Sequence, residues 1–238
     1  MFNKILKKIK KTISAIYSYP KMILKDDQYN EYWENRDLKT ADQLNNFQKA
    51  RAKFVLKTIK ENSTILDIGC GNGAILSYIN SKKKLARLIG IDFSDKALNL
   101  AGKNGIEVIR KDISTLSEDG DMFGVDYILM FEILEHIADS EKLLAWAVKN
   151  AKSGVFFSVP NTGFVTHRFR LLLGRFPLQW RVRPSEHLRF WTVRDMKWWL
   201  KNIGYDKYEI KLYEGAPLLN RIWPSMFSAG IFVRIAAN

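Results

Sequence analysis

Short apolar runs alternate with segments of helical periodicity along the chain from residue 62 onward. The runs are Thr64–Ile68, Leu88–Ile91, Val108–Ile109, Val125–Met130 and Val155–Val159. Helical patterns lie between several of them, and this alternation predicts an α/β fold with a parallel sheet covered by helices on both faces. Two further strands, Tyr208–Tyr213 and Ala229–Ile235, are expected after a helix at Val193–Asn202.

The rest of the chain departs from this alternation. Apolar positions at spacings of three and four predict an amphipathic helix over residues 1–19, and residues 20–61 are interpreted as a helical connector or cap with a helix at 44–61. Residues 62–238 form the predicted main domain. Within it, residues 161–192 interrupt the pattern, and we expect them to lie over the carboxyl ends of the strands, where open α/β sheets bind ligands.

Composition fits one large globular domain with appendages. The chain has 238 residues, of which 47% are hydrophobic and 26% are charged. Its one cysteine, Cys70, excludes an internal disulfide framework and favours a reducing compartment. No apolar run approaches the roughly 18 residues that span a bilayer, and lysines interrupt any secretory apolar segment at the N-terminus. We therefore predict a cytoplasmic protein.

The positive charge is concentrated at the N-terminus. The formal net charge is +13, and residues 1–25 hold seven lysines and no acid, which leaves +6 on the rest of the chain (31 basic residues minus 25 acidic ones). A basic amphipathic helix of this kind suits the headgroup layer of an anionic membrane at the inner face. The alternative is a helix packed on the domain with its lysines in water. Nucleic acid is an unlikely partner, because a basic helix alone is weak support for it.

A glycine-rich loop follows the first predicted strand. The segment Ile65–Gly73 runs from an apolar strand into Gly-x-Gly-x-Gly, and a helix is expected from Ala74. A loop of this kind could serve a dinucleotide, but its spacing is not Gly-x-Gly-x-x-Gly. Asp67, just before the loop, would repel a pyrophosphate and attract an ammonium group.

Two more acids follow the next two strands. Asp92 ends the second strand, where a carboxylate suits the ribose hydroxyls of a nucleoside, and Phe93 is predicted to lie against a purine face. Asp112 follows the third strand, where it could accept a hydrogen bond from an exocyclic amine. Together these residues predict a pocket for a nucleoside that carries an amino acid.

With these motifs the chain resembles the class I S-adenosylmethionine-dependent methyltransferases, over roughly residues 62–203. The resemblance implies a Rossmann-like, mostly parallel seven-stranded sheet and S-adenosylmethionine as cofactor. It also implies that the loop glycines line the methionine portion, that Asp67 lies near the amino group, that Asp92 binds the ribose, and that Asp112 and Ile113 lie at the adenine. The predicted cofactor-binding residues are Asp67, Gly69, Cys70, Gly71, Gly73, Asp92, Phe93, Asp112, Ile113 and Phe131.

The fourth strand leads into candidate catalytic residues. Glu132, Glu135 and His136 are spaced to share one face of a helical turn. The stretch resembles that of ubiquinone-type O-methyltransferases and small-RNA 2′-O-methyltransferases, which implies a divalent cation held by these three residues and His187. The alternatives are a metal-free site, with His136 as general base, Glu135 orienting it and His187 as second candidate base, or a structural role.

The interruption is rich in arginine. From Gly163 to Arg194 there are seven arginines and no lysine, whereas lysine outnumbers arginine 25 to 6 elsewhere. Because guanidinium groups bind phosphate and carboxylate as rigid forks, we predict an anionic acceptor. The alternative is pairing with the domain's own acids. The predicted acceptor-binding residues are Arg168, Arg170, Arg181, Arg183, Arg189 and Trp191.

Part of the chain resembles the methionine-biosynthesis W group, and this resemblance implies an acyltransferase partner. The residues that carry it are Val159–Asn161, Arg168–Pro177, His187 and Thr192–Asp195. The N-terminal arm, residues 20–60 and the last two strands depart from that group and look like methyltransferases of bacterial surface polysaccharides. We therefore predict O-methylation of a sugar or lipid-linked glycan near the membrane. The alternatives are an acyltransferase-binding protein and a metal-dependent RNA 2′-O-methyltransferase.

Overall fold

The computed structural model describes residues 10, 13, 14, 16, 19, 44–116, 124–179 and 186–237. Most of the predicted arm at 1–19 and the connector from 20 to 43 lie outside these residues, and so do Arg181 and Arg183. The predicted domain boundaries therefore stay predictions, and the fold that positions the site is described from residue 44 onward.

Seven strands form a single sheet. In chain order they are β1 Thr64–Ile68, β2 Arg87–Asp92, β3 Glu107–Arg110, β4 Val125–Phe131, β5 Ala151–Pro160, β6 Tyr208–Tyr213 and β7 Gly230–Ala236. Side by side they stand in the order β3-β2-β1-β4-β5-β7-β6, and only β7 runs antiparallel to its neighbours. The predicted Rossmann-like, mostly parallel sheet is confirmed. The strand order reverses between β1 and β4, so the ligand crevice of such a sheet lies at their carboxyl ends.

Helices cover both faces of the sheet. They are α1 Asn46–Leu56, α2 Ala74–Lys82, α3 Asp95–Lys103, α4 Ser140–Asn150, α5 Val165–Leu172, α6 Val193–Asn202, α7 Leu219–Ile222 and α8 Pro224–Phe227. Successive side chains of a strand point to opposite faces. In β1, Ile65 packs in the core beneath α1 and α2, whereas Leu66 packs in the core beneath α4 and α6. Among the described residues no helix has the length and apolar character to cross a membrane.

Helix α1 is shorter than the helix predicted over 44–61. It begins after Asn45, whose side chain accepts a hydrogen bond from the Gln48 backbone while the Gln48 side chain accepts one from the Asn45 backbone. At the other end, Lys83 Nζ donates to the carbonyl oxygens of Leu56 (3.1 Å) and Ile59 (2.6 Å). These bonds satisfy carbonyls that another helical turn would have used, so the chain leaves the helix there.

Residues 161–192, here called the cover, leave the sheet after β5 and return to it before α6. Asn161 and Trp191 form a parallel bridge, and the Thr162 backbone donates to the Trp191 carbonyl (2.9 Å). Asn161 Nδ2 also donates to the carbonyl of Ser228 (2.7 Å), in the segment that joins β6 to β7. The cover therefore starts and ends side by side at the carboxyl edge of the sheet, next to the β6–β7 connection.

Candidate functional site

The glycine loop between β1 and α2 requires glycine at two of its positions, Gly69 and Gly73. Gly69 and Gly73 have φ angles of +74° and +71°, in the left-handed region that glycine adopts without strain. A Cβ atom on Gly69 would collide with the Ile133 side chain, and one on Gly73 would collide with Ile106. The backbone is thus free to approach a ligand at the end of β1.

Asp92, at the end of β2, is anchored to this loop. The side chain is buried, with Oδ2 accepting from the Gly71 backbone (2.8 Å) and Oδ1 from the Ser94 backbone (2.9 Å). Burial raises the pKa of Asp92, while these backbone hydrogen bonds lower it. The carboxylate therefore sits where the chain reverses, beside the loop, at the position predicted for ribose recognition.

Asp67, in β1, is a buried acid whose charge is poorly compensated. Burial raises its pKa to about 8, with the nearby Arg51 guanidinium lowering it and Asp92 raising it further. Arg51 itself is buried, and its Nε has no hydrogen-bond partner among the described residues. A ligand that brings a cation to Asp67 and an anion to Arg51 would relieve both groups.

The other predicted cofactor residues surround the same crevice. Phe93 is exposed after β2, and the Arg110 guanidinium lies 5.5 Å from its ring centre. Asp112 is exposed at the end of β3 and caps the short turn Ile113–Thr115 through the Ser114 backbone (2.9 Å). Cys70 and Phe131 are both buried. Their contacts with the cofactor stay predictions.

Glu132 does not share a face with Glu135 and His136 on one helical turn, as the spacing predicted. Glu132 has a φ angle of +59°, unusual for a residue with a side chain, and the 3₁₀ turn Leu134–His136 follows it. Its Oε1 accepts from Ser158 Oγ (2.7 Å) and pairs with Arg51 Nη1 (3.2 Å). The backbone reversal therefore turns Glu132 toward β5 and α1.

Glu135, His136 and His187 come together on the acceptor side. One ligand-type atom from each residue lies within 4.8 Å of the others, and the two imidazole rings are 4.7 Å apart, edge to face. Neither carboxylate oxygen of the buried Glu135 has a hydrogen-bond partner within the described part of the chain. The cover brings His187 to the other two residues, because the Leu188 backbone donates to the Glu135 carbonyl (2.8 Å).

The protonation states in this group follow from its surroundings. Burial raises the pKa of Glu135 well above its ordinary value, and the charge of Glu132 raises it further. Burial and the neighbouring His136 lower the pKa of His187 to about 4, so His187 is neutral at pH 7. His136 Nδ1 lies 2.5 Å from the Glu186 carbonyl oxygen, which can only accept. Nδ1 therefore donates, and a neutral His136 carries its lone pair on Nε2.

Four of the predicted acceptor-binding residues lie within the described part of the cover, and they contact the protein itself. Arg189 forms a two-pronged ion pair with Glu141 (2.9 and 2.8 Å). Arg168 Nε donates to the Gly163 carbonyl (2.6 Å), and the fully buried Arg170 donates to the Ile16 carbonyl (2.9 Å). Trp191 is buried against Trp199, with ring centres 5.2 Å apart. Arg189 is therefore paired with an acid of the domain, as the alternative expected, whereas Arg168 and Arg170 bind backbone carbonyls and Trp191 packs in the core.

Sequence reasoning missed two side chains of the site, Arg51 and Tyr213. Tyr213 is buried at the end of β6, with its hydroxyl 3.5 Å from Glu132 Oε1, and burial raises its pKa. Arg51 had a usable signal, since it lies on the apolar side of α1, four residues after Phe47 and four before Val55. An arginine on the buried face of a helix needs a buried partner. Tyr213 had none, because tyrosine is ordinary in a strand.

A glycine loop after β1, an acid at the end of β2 and the strand order of this sheet define a class I S-adenosylmethionine-dependent methyltransferase. Residues 32–210 match the family model described as "Methyltransferase domain". The chain belongs to that family, and family membership implies S-adenosylmethionine as its cofactor.

Curated relatives include two kinds of protein. A ubiquinone biosynthesis O-methyltransferase of Hahella chejuensis is 29% identical over 164 residues, which cover 65% of this chain and 68% of that protein. A bifunctional methionine biosynthesis protein MetXA/MetW of Rhodopirellula baltica is 27% identical over 160 residues, which cover 60% of this chain and 25% of that protein.

Solved structures share the fold. A SAM-dependent methyltransferase from Archaeoglobus fulgidus matches with a TM-score of 0.60 and 16% identity, covering 88% of this chain and all of that one. The small RNA methyltransferase HEN1 matches with a TM-score of 0.60 and 22% identity, covering 80% of this chain and 25% of that one. At these identities the likeness describes the architecture alone.

Proposed function

We propose that this methyltransferase transfers its methyl group to an acceptor hydroxyl and that His136 removes the proton. The observation that carries the proposal is the hydrogen bond from His136 Nδ1 to the Glu186 carbonyl, because it leaves the Nε2 lone pair available. Glu135 and the neutral His187 border the imidazole, because each places a ligand-type atom within 4.8 Å of one on His136. The curated relatives named for ubiquinone biosynthesis are O-methyltransferases by name, which supports a hydroxyl acceptor.

The cofactor supplies a methyl group on a sulfonium, and the chain aligns it. Asp67 and Arg51 suit the ammonium and carboxylate groups of a methionine moiety, since burial raises the pKa of Asp67 and the Nε of the buried Arg51 has no hydrogen-bond partner among the described residues. Asp92 suits the ribose, and Asp112 with Ile113 suits the adenine. Bound S-adenosylmethionine would supply the methyl carbon as an electrophile, and the electron pair of the carbon–sulfur bond would return to sulfur. The acceptor oxygen would take the methyl group, and its hydroxyl proton would pass to His136 Nε2.

For the acceptor, we favour a hydroxylated molecule with an apolar part. The described arginines of the cover already bind the protein, which weakens the case for a phosphate-bearing acceptor. The relatives named above belong to ubiquinone and methionine biosynthesis and do not favour the predicted sugar or glycan acceptor. An acyltransferase partner and an RNA acceptor stay predictions, because the likeness to HEN1 is one of fold.

The same three side chains offer a second candidate role, the binding of a divalent cation. Glu135, His136 and His187 would hold it, and the free carboxylate oxygens of Glu135 favour this use. Glu132 does not join them, since it pairs with Arg51. A bound cation would supply a positive charge near the acceptor oxygen.

The test is methyl transfer from isotopically labelled S-adenosylmethionine to fractionated cell extract, with separate lipid and glycan fractions. We expect label in the lipid fraction and a product that is an ether. His136→Gln should lower kcat by about 10²–10⁴-fold while cofactor affinity, measured by calorimetry, stays unchanged. Asp139→Asn, an exposed acid three residues further along, is the matched control.

Each arm has an outcome that overturns part of the proposal. Label on nitrogen or sulfur would overturn hydroxyl methylation, and full activity of His136→Gln would remove His136 as the base. Label in the glycan fraction alone would restore the glycan prediction. Activity lost with a chelator and restored by a divalent cation would assign the three side chains to a metal.

A further inference from the structure

Helix α5 of the cover buries an arginine and exposes leucines, which is the reverse of the pattern in an ordinary surface helix. Arg170 is completely buried, whereas the neighbouring Leu171 and Leu172 are 53% and 79% exposed. A surface helix in water normally buries its leucines and exposes its arginines. The exposed apolar side chains of α5 and the turn after it, here called the leucine edge, are Phe169, Leu171, Leu172, Leu173 and Phe176.

The buried Arg170 binds the end of the basic arm next to the leucine edge. Arg170 donates to the Ile16 carbonyl (2.9 Å) and to the Phe176 carbonyl (2.8 Å). The guanidinium groups of Arg170 and Arg175 lie 5.1 and 5.0 Å from the ring centre of Tyr19. Ile16 and Tyr19, at the end of the lysine-rich arm, are thus attached beside exposed leucines of α5.

A second exposed apolar segment lies at the same edge of the sheet. It consists of α7 and its flanks, with Leu218, Leu219, Ile222 and Trp223 exposed. Strand β6 runs parallel to β5, because both are antiparallel to β7, so the segment after β6 and the cover after β5 leave the same edge. Asn161 Nδ2, at the start of the cover, donates to the carbonyls of Ser225 and Ser228 in this connection. Exposed apolar surface of this kind marks an interaction site.

Charge selects the partner. Residues 1–25 carry seven lysines and no acid, and the arm is held beside the leucine edge. A second copy of the chain docking here would bring two such arms together, and their charges would repel. Lysines are flexible point charges that suit a fluid anionic surface better than a fixed geometry. Apolar side chains beside a lysine-rich helix are the combination that inserts into the headgroup layer of anionic lipid.

We propose that the leucine edge, together with the exposed apolar side chains of α7 and its flanks, is a docking surface for anionic phospholipid bilayers, to which the lysines of residues 1–25 add positive charge. The leucines enter the boundary between headgroups and acyl chains, and the lysines bind the phosphates around them. Docking in this orientation turns the carboxyl edge of the sheet, with its candidate site, toward the bilayer. The inference does not depend on the proposed hydroxyl acceptor, since lipid binding requires no methyl transfer.

The experiment is co-sedimentation of the full chain with vesicles of phosphatidylcholine alone or mixed with phosphatidylglycerol. We expect binding to the mixed vesicles, weakened by added salt. The double variant Leu171→Gln/Leu172→Gln should lower the partition coefficient by roughly tenfold or more, from the apolar area withheld from the membrane. Replacing Lys4, Lys7 and Lys8 with glutamine should lower it by roughly fivefold per lysine.

The matched control is Val108→Thr, which removes an exposed apolar group from β3, at the far edge of the sheet. Its binding should equal that of the unchanged chain, and calorimetry of S-adenosylmethionine binding should report intact folding for every variant. Absence of vesicle binding by the full chain overturns the proposal. Equal binding by the double variant and the unchanged chain removes the leucine edge from it. A dimer in solution that the double variant abolishes, without vesicle binding, assigns the surface to a second copy.

Discussion

The cofactor side and the cover use charged side chains in opposite ways. At the ends of β1 and β2, Asp67 and Asp92 are buried, burial raises the pKa of Asp67, and the Nε of Arg51 has no hydrogen-bond partner among the described residues. In the cover, Arg168, Arg170 and Arg189 are joined to carbonyls and carboxylates of the protein itself. A charged residue at a strand end is therefore held by the backbone at the edge where open α/β sheets bind ligands, whereas a charged residue in a long insertion can pair with the protein itself.

The largest effect is expected for Asp92→Ala on the cofactor side. It removes the acceptor for the Gly71 backbone and the predicted hydrogen bonds to the ribose, each worth roughly 0.5–3 kcal/mol, so affinity for S-adenosylmethionine should fall on the order of a hundredfold. Calorimetry measures it. Asp95→Ala, an exposed acid on α3, is the control and should bind normally. Unchanged affinity of Asp92→Ala would break the contrast between the two regions.

Gly69→Ala is expected to have the next largest effect. The change combines left-handed strain of about 1–2 kcal/mol with a collision against Ile133. Gly105→Ala is a matched control, since its φ is +75° and a Cβ there meets nothing within 4 Å. Urea unfolding should give a larger loss of the free energy of unfolding for Gly69→Ala, together with lost cofactor binding. Equal losses would mean that the loop tolerates a side chain.

Asp67→Asn should change the pH dependence of stability in the cofactor-free chain. Since the pKa of Asp67 rises from 3.8 to about 8 on folding, its stabilisation is complete below pH 3.8 and is lost as the pH rises through 8. Asparagine does not titrate, so the free energy of unfolding should fall less between about pH 4 and 8. Cofactor affinity should weaken about tenfold with the loss of one charged contact.

Thermal unfolding across this pH range measures the first effect, and calorimetry the second. Asp95→Asn is the control for removing an exposed carboxylate. A pH profile identical to that of the unchanged chain would mean that Asp67 is ionised in the fold and that its charge is compensated.

The smallest effect is expected for Arg189→Ala in the cover. Its ion pair with Glu141 is half-exposed, so the loss of stability should be no more than about 1 kcal/mol. Urea unfolding in a double-mutant cycle with Glu141→Gln measures the coupling, and the acceptor KM should not change. A raised acceptor KM with unchanged stability would mean that Arg189 binds the acceptor, and it would reduce the difference between the cofactor side and the cover in their use of charged side chains.

The sheet could be predicted because each strand is specified locally. Tyr208–Tyr213 was predicted with its observed bounds, since alternation of apolar and charged residues over a short segment is typical of a strand. The predicted turn from Glu132 to His136 was wrong in its geometry, because the φ of Glu132 is held by contacts with Arg51 and Ser158, far away in sequence. Arg170 was predicted to face an acceptor, yet its partners include the carbonyl of Ile16, 154 residues away.

The bridge between Asn161 and Trp191 allows the cover to vary in evolution independently of the sheet. Because the two ends of this insertion leave the scaffold as neighbours, a segment of another length or composition could be spliced between them without moving a strand. A lineage could thus exchange the part that meets the acceptor while inheriting the part that holds the methyl donor. A chimera that carries the insertion of a relative between these two residues would start from an intact scaffold.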